Sequence, residues 1–296
     1  MTSRAANSRA AWFSILANGV LILFKLAVGG ISGSIGIISE ALHSGTDLIA
    51  AVIALVSIRQ AARPADPGHR YGHEKVEDLS SIVEGLLIWG AAVLIIIEAI
   101  DHLIHGEHLD HIWLAIAVML VSAAVNLGLS LYLYPVAQRT ESSALRADAA
   151  HHLTDVYTSA GVAGGLFLAQ LTGKAYFDPM LAIAVAFLIM WTAWQLVNQS
   201  TRVLLDEALP ADELEIIRST VKEHRGNLIL GYHKLRTRRS GSKRHIDLHV
   251  TVPEETPISR AHDVAEHLET DIAAKLTNTE VFVHVEPGSH EREDES

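Results

Sequence analysis

Residues 35–58 read IGIISEALHSGTDLIAAVIALVSI, an apolar run that is long enough to cross a bilayer and carries a polar pair near its middle. The pair is His43 and Asp47, four positions apart. This spacing places two side chains on one face of a helix, one turn from each other. Ionisable groups are costly at bilayer depth and usually mark functional sites. The segment therefore predicts a membrane helix with a polar site on one face.

Six apolar segments of this kind occur in the chain of 296 residues. Each approaches or exceeds the roughly 20 residues that a membrane-spanning helix needs. They cover residues 11–30, 35–58, 79–99, 112–134, 144–171 and 179–203. The first segment has no obvious small-residue cleavage site, which favours a span over a signal peptide. We expect an α-helical membrane protein with a six-helix transmembrane domain at residues 1–205.

Charged residues become dense after Asp206, and no later apolar run exceeds a few residues. The pattern predicts a small α+β domain at residues 206–288 in the order helix, strand, strand, helix, strand. Its strands are expected at 227–237, 245–252 and 280–285. Ser259 is expected to cap the helix 260–276. An acidic tail follows at residues 289–296.

The composition excludes several classes of site and partner. The chain has no cysteine, so disulfides and thiolate metal sites are absent. Its formal net charge of −11 argues against nucleic acid as a partner. Histidine remains as the nitrogen ligand for metals, and its placement is therefore informative.

The Lys and Arg residues of the short loops predict the orientation of the spans. Basic residues occur before the first segment, between the second and third, and between the fourth and fifth. The opposite side carries only Lys174 in its loops. We expect both termini and the C-terminal domain on the cytoplasmic side. Lys25, near the outer end of the first segment, is expected to extend its amine towards the interface.

The fifth apolar segment repeats the polar pair of the second. His151 and Asp155 have the same spacing, and both pairs share the pattern His-x-x-Thr-Asp. Two such helices facing each other offer two imidazoles and two carboxylates, a ligand set that suits tetrahedral Zn²⁺. The alternative is a pair of hydrogen-bonded helix contacts without metal. His152 is interpreted as a neighbour of the site and Asp148 as a polar residue near the start of the helix.

The two pairs, together with RTESSALRADAAHHLTD at residues 139–155, resemble the cation diffusion facilitator family. Its members are six-span exporters of divalent metals with a small cytoplasmic domain, and the resemblance covers nearly the whole chain. The His-Asp pairs resemble the zinc-exporting branch, since manganese-associated branches tend to replace this histidine with Asp or Asn. The resemblance implies a homodimer in a bacterial-type inner or plasma membrane that exchanges Zn²⁺ for protons.

The loop after the second segment reads DPGHRYGH and carries one carboxylate and two imidazoles, Asp66, His69 and His73. Three protein ligands leave a position for water, so a metal here would exchange readily. The alternative is a solvated loop that turns at Pro67 and Gly68. Some members of the resembled family bind a metal at this loop.

Five residues of the C-terminal domain match positions of a two-metal site that similar proteins form at their dimer contact. They are His233, His249, His262, His284 and Glu286. The domain resembles a metallochaperone, and the resemblance implies regulatory Zn²⁺ there. Glu286 stands where Asp is common in similar proteins. The alternative is a set of surface histidines that bind no metal.

Other functions remain open at the level of sequence. The cargo of an exporter could be Fe²⁺, Cd²⁺ or Co²⁺, because affinity alone separates these ions poorly. A membrane metalloenzyme and a metal sensor are alternatives from other classes. Four protein ligands in the membrane would leave no open position for a substrate, which argues against the enzyme.

Overall fold

The computed structural model describes residues 3–32, 35–105, 112–174, 176–224 and 228–288. Within these ranges the side chains of 3, 4, 32, 35–40, 42, 43, 46, 105 and 112 are not described. The predicted acidic tail, residues 289–296, lies outside the described ranges. The chain divides into two compact units, residues 1–201 and 202–296.

Six long helices account for most of the chain before position 205. They are α1 (Ser3–Ser32), α2 (Ile35–Ala61), α3 (Lys75–His105), α4 (Ile112–Thr140), α5 (Ser143–Thr172) and α6 (Phe177–Leu204). Four of them are long and apolar enough to cross a membrane within the described residues, namely α1, α3, α4 and α6. The predicted transmembrane helices are therefore confirmed for these four. The other two helices, α2 and α5, carry the His-Asp pairs.

The first unit has apolar side chains outside and polar side chains inside. Leu16, Leu23 and Trp191 are exposed, whereas Asn18 and Asn126 are buried between helices. Water would favour the reverse arrangement, because apolar side chains exposed at this density are not solvated well. The distribution is that of a helix bundle whose outer surface contacts lipid.

Small residues bring α6 close to its neighbours. A Cβ atom built on Gly161 of α5 would lie 2.8 Å from Val185 Cγ2 of α6. A Cβ atom on Gly85 of α3 would lie 2.7 Å from Val197 Cγ2. Both distances are too short for a real methyl group, so glycine permits the observed packing.

The N-terminus of α5 is fixed by α3. Ser142 caps the helix and accepts a hydrogen bond from the backbone N–H of Leu145. The Ser142 hydroxyl donates to Glu77 Oε2 of α3 at 2.5 Å. A carboxylate at this end of a helix also interacts favourably with the exposed N–H groups. This contact sets the start of the helix that carries His151 and Asp155.

The second unit has the predicted order of elements. It consists of α7 (Ala211–Glu223), β1 (Gly231–Ser240), β2 (Lys243–Val252), α8 (Ile258–Lys275) and β3 (Thr279–Pro287). The middle strand, β2, pairs antiparallel with β1 and parallel with β3. Ile246, Leu248 and Val250 of β2 form the core with apolar side chains of both helices, including Ile217 and Leu268. One prediction is wrong in detail, because α8 begins after Pro257 and no side-chain hydrogen bond caps it.

A β-bulge in β1 changes which of its side chains share a face of the sheet. His233 pairs with His249, and Arg236 pairs with Asp247. Two residues of β1 therefore stand opposite one residue of β2, and the left-handed φ of 53° at Lys234 accommodates the extra residue. As a result, His233 and Arg236 lie on the same sheet face, away from the core.

Candidate metal centres

The first candidate centre lies between α2 and α5. Asp47, His151 and Asp155 each offer a ligand atom, and these atoms all lie within 4.8 Å of one another. His151 Nε2 is 3.1 Å from Asp47 Oδ1 and 4.0 Å from Asp155 Oδ2. The helical spacing at 151 and 155 accounts for one contact, and the packing of α5 against α2 accounts for the other.

The geometry of these three residues fits a zinc ion. Zinc binds nitrogen and oxygen at about 2.0–2.2 Å, so two ligand atoms of a tetrahedron lie roughly 3.3 Å apart. The observed separations of 3.1 and 4.0 Å bracket this value. All three side chains are largely buried, and one imidazole with two carboxylates can neutralise a divalent cation. His43, the fourth predicted ligand, belongs to α2, but its side chain lies outside the described part of the chain.

The buried imidazole of His152 forms hydrogen bonds with two neighbouring helices. These contacts were not predicted from the sequence. Its side chain is fully buried, and its Nδ1–H donates to Asn126 Oδ1 of α4 at 3.0 Å. Its Nε2 accepts a hydrogen bond from the Ser14 hydroxyl of α1 at 2.9 Å. This assignment of the imidazole proton follows from the partners on either side. His152 thereby links α5 to α1 and α4 one residue away from His151.

Two further carboxylates are buried near this junction. Asp148 Oδ1 lies 3.6 Å from His152 Nε2, and Glu84 of α3 is buried as well. The oxygens of both carboxylates accept no hydrogen bond from any described residue. Asp148 was predicted as a polar residue near the helix start, and its burial shows that the polar interior extends beyond the candidate ligands.

Lys25 does not extend towards the interface as predicted. Its side chain is buried, and Nζ donates a hydrogen bond of 2.8 Å to Ser44 Oγ on α2. A buried amine needs such an acceptor, because desolvation without one is costly. Ser44 lies next to His43 in the sequence. The hydrogen bond from Lys25 therefore connects α1 to α2 beside the first polar pair.

The second candidate centre is the loop between α2 and α3. Asp66 Oδ2 lies 3.3 Å from His73 Nε2, and Asp66 Oδ1 lies 3.3 Å from His69 Nδ1. Asp66 and His69 are exposed, whereas His73 is buried. The structure therefore brings together all three residues that the sequence singled out in this loop.

The backbone of its own loop stabilises the charged form of Asp66. The backbone N–H groups of His69 and Gly68 donate to Asp66 Oδ1 at 2.7 and 2.8 Å. The hydrogen bond from the His69 N–H, which outweighs desolvation, lowers the pKa of this carboxyl below its ordinary value. The lowered pKa favours the ionised form, which is the form that binds a cation.

We call the second unit, residues 202–296, the soluble unit. The third candidate centre lies on the face of its sheet opposite to α7 and α8. His249 Nδ1 is 2.7 Å from Glu286 Oε1, and His233 Nε2 is 3.2 Å from Glu286 Oε2. His284 Nε2 lies 3.8 Å from Glu286 Oε1. The hydrogen bond with His249 is the largest cause that lowers the pKa of Glu286. The Glu286 carboxylate thus contacts three imidazoles. Each of its two oxygens can bind a cation together with a histidine nitrogen.

His262 is not part of this cluster within one chain. It is exposed on α8, a helix that packs on the core face of the sheet, whereas the other four residues lie on the opposite face. Its side chain shares no hydrogen bond, ion pair or ring contact with another residue in the described ranges. The structure therefore brings together four of the five predicted residues.

Several known proteins are similar to this chain, and two of them match nearly its whole length. An uncharacterized transporter of Synechocystis sp., sll1263, is 37% identical over 290 residues, covering 97% of this chain and 92% of the relative. The cation-efflux pump FieF of Klebsiella pneumoniae is 30% identical over 282 residues, covering 95% and 93%. A solved structure of CzrB in its Zn form is 33% identical, covers 30% of this chain and 99% of the solved chain, and has a TM-score of 0.28.

Two family models divide the chain at the boundary between the apolar and charged parts. The cation efflux transmembrane domain matches residues 11–205, and the cytoplasmic domain of cation efflux proteins matches residues 209–288. Members of this family are transporters, so the chain is not an enzyme and the membrane metalloenzyme is excluded. The chain belongs to the cation efflux family.

Proposed function

We propose that this protein exports Zn²⁺ from the cytoplasm in exchange for protons. The observation that carries the proposal is the convergence of Asp47, His151 and Asp155 from two helices, with the closest ligand atoms 3.1 Å apart. Imidazole with carboxylate suits zinc, whereas manganese and magnesium prefer oxygen alone. In the proposal His43 supplies the fourth ligand, which gives zinc its usual coordination number.

The exchange for protons follows from the chemistry of these ligands. An imidazole binds metal only when its nitrogen lone pair is free, and a carboxylate only when it is ionised, so metal and protons compete for the same atoms. Alternating exposure of the site to the two sides of the membrane would release metal outside and protons inside. A ligand drives such a change only through its different affinity for the two conformations.

The proposal includes a specific arrangement in the membrane. All six long helices, α2 and α5 included, would span a bacterial-type inner or plasma membrane as one domain, residues 1–205. Both termini and the domain at residues 206–288 would face the cytoplasm, as the basic residues of the loops favour. Two chains would form a homodimer, which the family's cytoplasmic domain supports.

The other two centres would regulate transport. The cluster of His233, His249, His284 and Glu286 would bind regulatory Zn²⁺, and His262 would contribute only in the dimer. The loop residues Asp66, His69 and His73 would form a weaker site, since two of the three are exposed. Neither centre contains a residue of the site between α2 and α5, so each would act on transport from outside it.

The test uses the purified protein in liposomes, with one dye for metal and one for pH. Zn²⁺ is supplied on the side of the soluble domain, and Fe²⁺, Cd²⁺ and Co²⁺ are supplied in parallel. We expect zinc to cross in many turnovers while the side that loses zinc becomes more acidic. Metal transport without a change in pH would contradict proton exchange. Binding of metal without transport would indicate a sensor.

A further inference from the structure

The soluble unit contains an open groove along the edge strand β1. The groove has a volume of about 680 Å³ and extends from the segment that follows α6 to α7, β1 and β2. This size is typical of a site for a small ligand or a headgroup. We call it the β1 groove. Among its lining residues, only His233 belongs to a candidate metal centre.

The β1 groove is basic although the chain as a whole carries a charge of −11. Four of its lining residues are Arg or Lys, namely Arg218, Lys234, Arg236 and Arg238, and only two are Asp. Arg238 is paired with Asp206 at 3.5 Å. The side chains of Arg218 and Arg236, in contrast, form no hydrogen bond or ion pair with any residue that the structure describes.

The β-bulge described above brings these charges to the groove. Without it, alternation along β1 would place Leu235 on the face of His233. The bulge instead places Leu235 towards the core, where it packs against the apolar cluster, and Arg236 on the open face. Bulges often redirect a side chain in this way next to binding sites. Arg218 of α7 lines the same groove, so arginines from two elements line one cavity.

We propose that the β1 groove binds a phosphate group. The guanidinium group presents paired N–H donors in a plane, which matches two oxygens of a phosphate. Two arginines whose side chains pair with no described residue, supported by Lys234, give the groove the charge that a phosphate monoester or diester requires. The acidic surface elsewhere would repel such an anion and restrict its binding to this groove.

Two sources of phosphate fit this chemistry. One is a soluble phosphate compound. The other is the headgroup of an anionic lipid, because Asp206, at one end of the groove, follows the last residue of α6 by two positions. Basic clusters close to the end of a membrane helix frequently contact anionic lipids. Both sources present the same group to the same arginines, and experiment can separate them.

The experiment compares full-length wild type with a groove variant, Arg218→Gln with Arg236→Gln. The control, Lys222→Gln with Arg260→Gln, removes the same charge from exposed positions outside the groove. Metal-free protein in detergent is titrated with inorganic phosphate by calorimetry. The same protein is mixed with phosphatidylglycerol or phosphatidylcholine, and bound lipid is counted by native mass spectrometry. Metal is left out because His233 also belongs to a metal centre.

We expect wild type and control to bind alike and the groove variant to bind at least about tenfold more weakly, because it loses two charge-assisted contacts. Loss of phosphate binding in the variant identifies a soluble compound, and loss of phosphatidylglycerol alone identifies a lipid headgroup. Equal binding by variant and control, or no binding by wild type, overturns the proposal.

A second measurement needs no variant. Whichever probe binds wild type should slow amide hydrogen exchange in α7 and β1. Protection confined to other segments would likewise overturn the proposal.

Discussion

His151 Nε2 of α5 lies 3.1 Å from Asp47 Oδ1 of α2, which joins two side chains 104 positions apart in the sequence. A helix that carries a polar site needs neighbours to shield it from lipid, and α1, α3 and α4 provide this packing.

The buried junction at His152 is expected to stabilise the bundle. His152→Ala leaves the Asn126 carbonyl oxygen and the Ser14 hydroxyl without their partner, and such a loss costs about 1–3 kcal/mol. We expect a lower midpoint of thermal unfolding in detergent without metal. His267→Ala, which removes an exposed imidazole from α8, is the control and should leave the midpoint unchanged.

A double-mutant cycle separates this contact from a general packing effect. If His152 and Asn126 act through their hydrogen bond, His152→Ala should cost less in a protein that already carries Asn126→Ala. Strictly additive shifts of the unfolding midpoint would show that the two side chains do not act together.

The soluble centre is expected to control transport at low zinc. His233→Ala with His284→Ala removes two of the three imidazoles that contact Glu286. Because neither residue belongs to the centre between α2 and α5, we expect reduced zinc flux at low concentration and near-normal flux at high concentration. The measurement is flux against zinc concentration in liposomes.

The matched control for this double variant is His224→Ala with His267→Ala, which removes two imidazoles of the same unit outside the cluster. Its curve should follow that of wild type. A cluster variant that is inactive at every zinc concentration, although folded and dimeric, would mean that the centre is obligatory. A cluster variant that follows wild type would mean that these histidines do not regulate.

The stability of the soluble unit is expected to depend on the ionisation of Glu213. Burial raises the pKa of this carboxyl, but the hydrogen bonds and charges of Arg244 and Arg239 outweigh burial and lower it overall. Arg244 Nε and Nη2 donate to the two oxygens at 2.9 Å each. A lowered pKa stabilises the fold above the unfolded value of about 4.3, and this contribution is lost as the pH falls through the folded value.

Hydrogen exchange of the β1 and β2 amides, corrected for the intrinsic effect of pH, measures this dependence. Wild type should lose protection when the pH falls below about 4. Glu213→Gln should be less protected at neutral pH and should change less on acidification. The control Glu215→Gln alters an exposed carboxylate of the same helix and should resemble wild type. Equal pH profiles for all three proteins would contradict this role of Glu213.

The sequence was sufficient to predict features that depend on local spacing. The i, i+4 pairs placed His151 and Asp155 on one helix face, and the order of elements in the soluble unit followed from periodicity. The grouping of Asp66, His69 and His73 also followed, because all three lie within one short loop. These features need no knowledge of which distant segments meet.

Features that depend on packing could not be predicted in this way. Lys25 is buried because Ser44 of another helix accepts its hydrogen bond, and His152 is buried because Ser14 and Asn126 meet it there. The first strand was expected at 227–237 but runs from 231 to 240, since its register depends on the bulge and on pairing with β2. Such contacts become visible only once the helices and strands are assembled.

In the proposed transport mechanism, Asp47, His151 and Asp155 bind the transported ion. Asp47→Asn and Asp155→Asn remove one ligand charge each while keeping the shape of the side chain. Glu98→Gln is the matched control, because Glu98 is an exposed carboxylate of α3 without a described partner.

The decisive measurement is the initial rate of zinc flux in liposomes that contain equal amounts of folded protein. Loss of a metal ligand should reduce this rate by at least about 100-fold, more than the loss of a residue that only supports a ligand. We predict this loss for both aspartate variants and a rate close to wild type for Glu98→Gln. Zinc flux at the wild-type rate in either aspartate variant would show that this aspartate does not bind the transported ion.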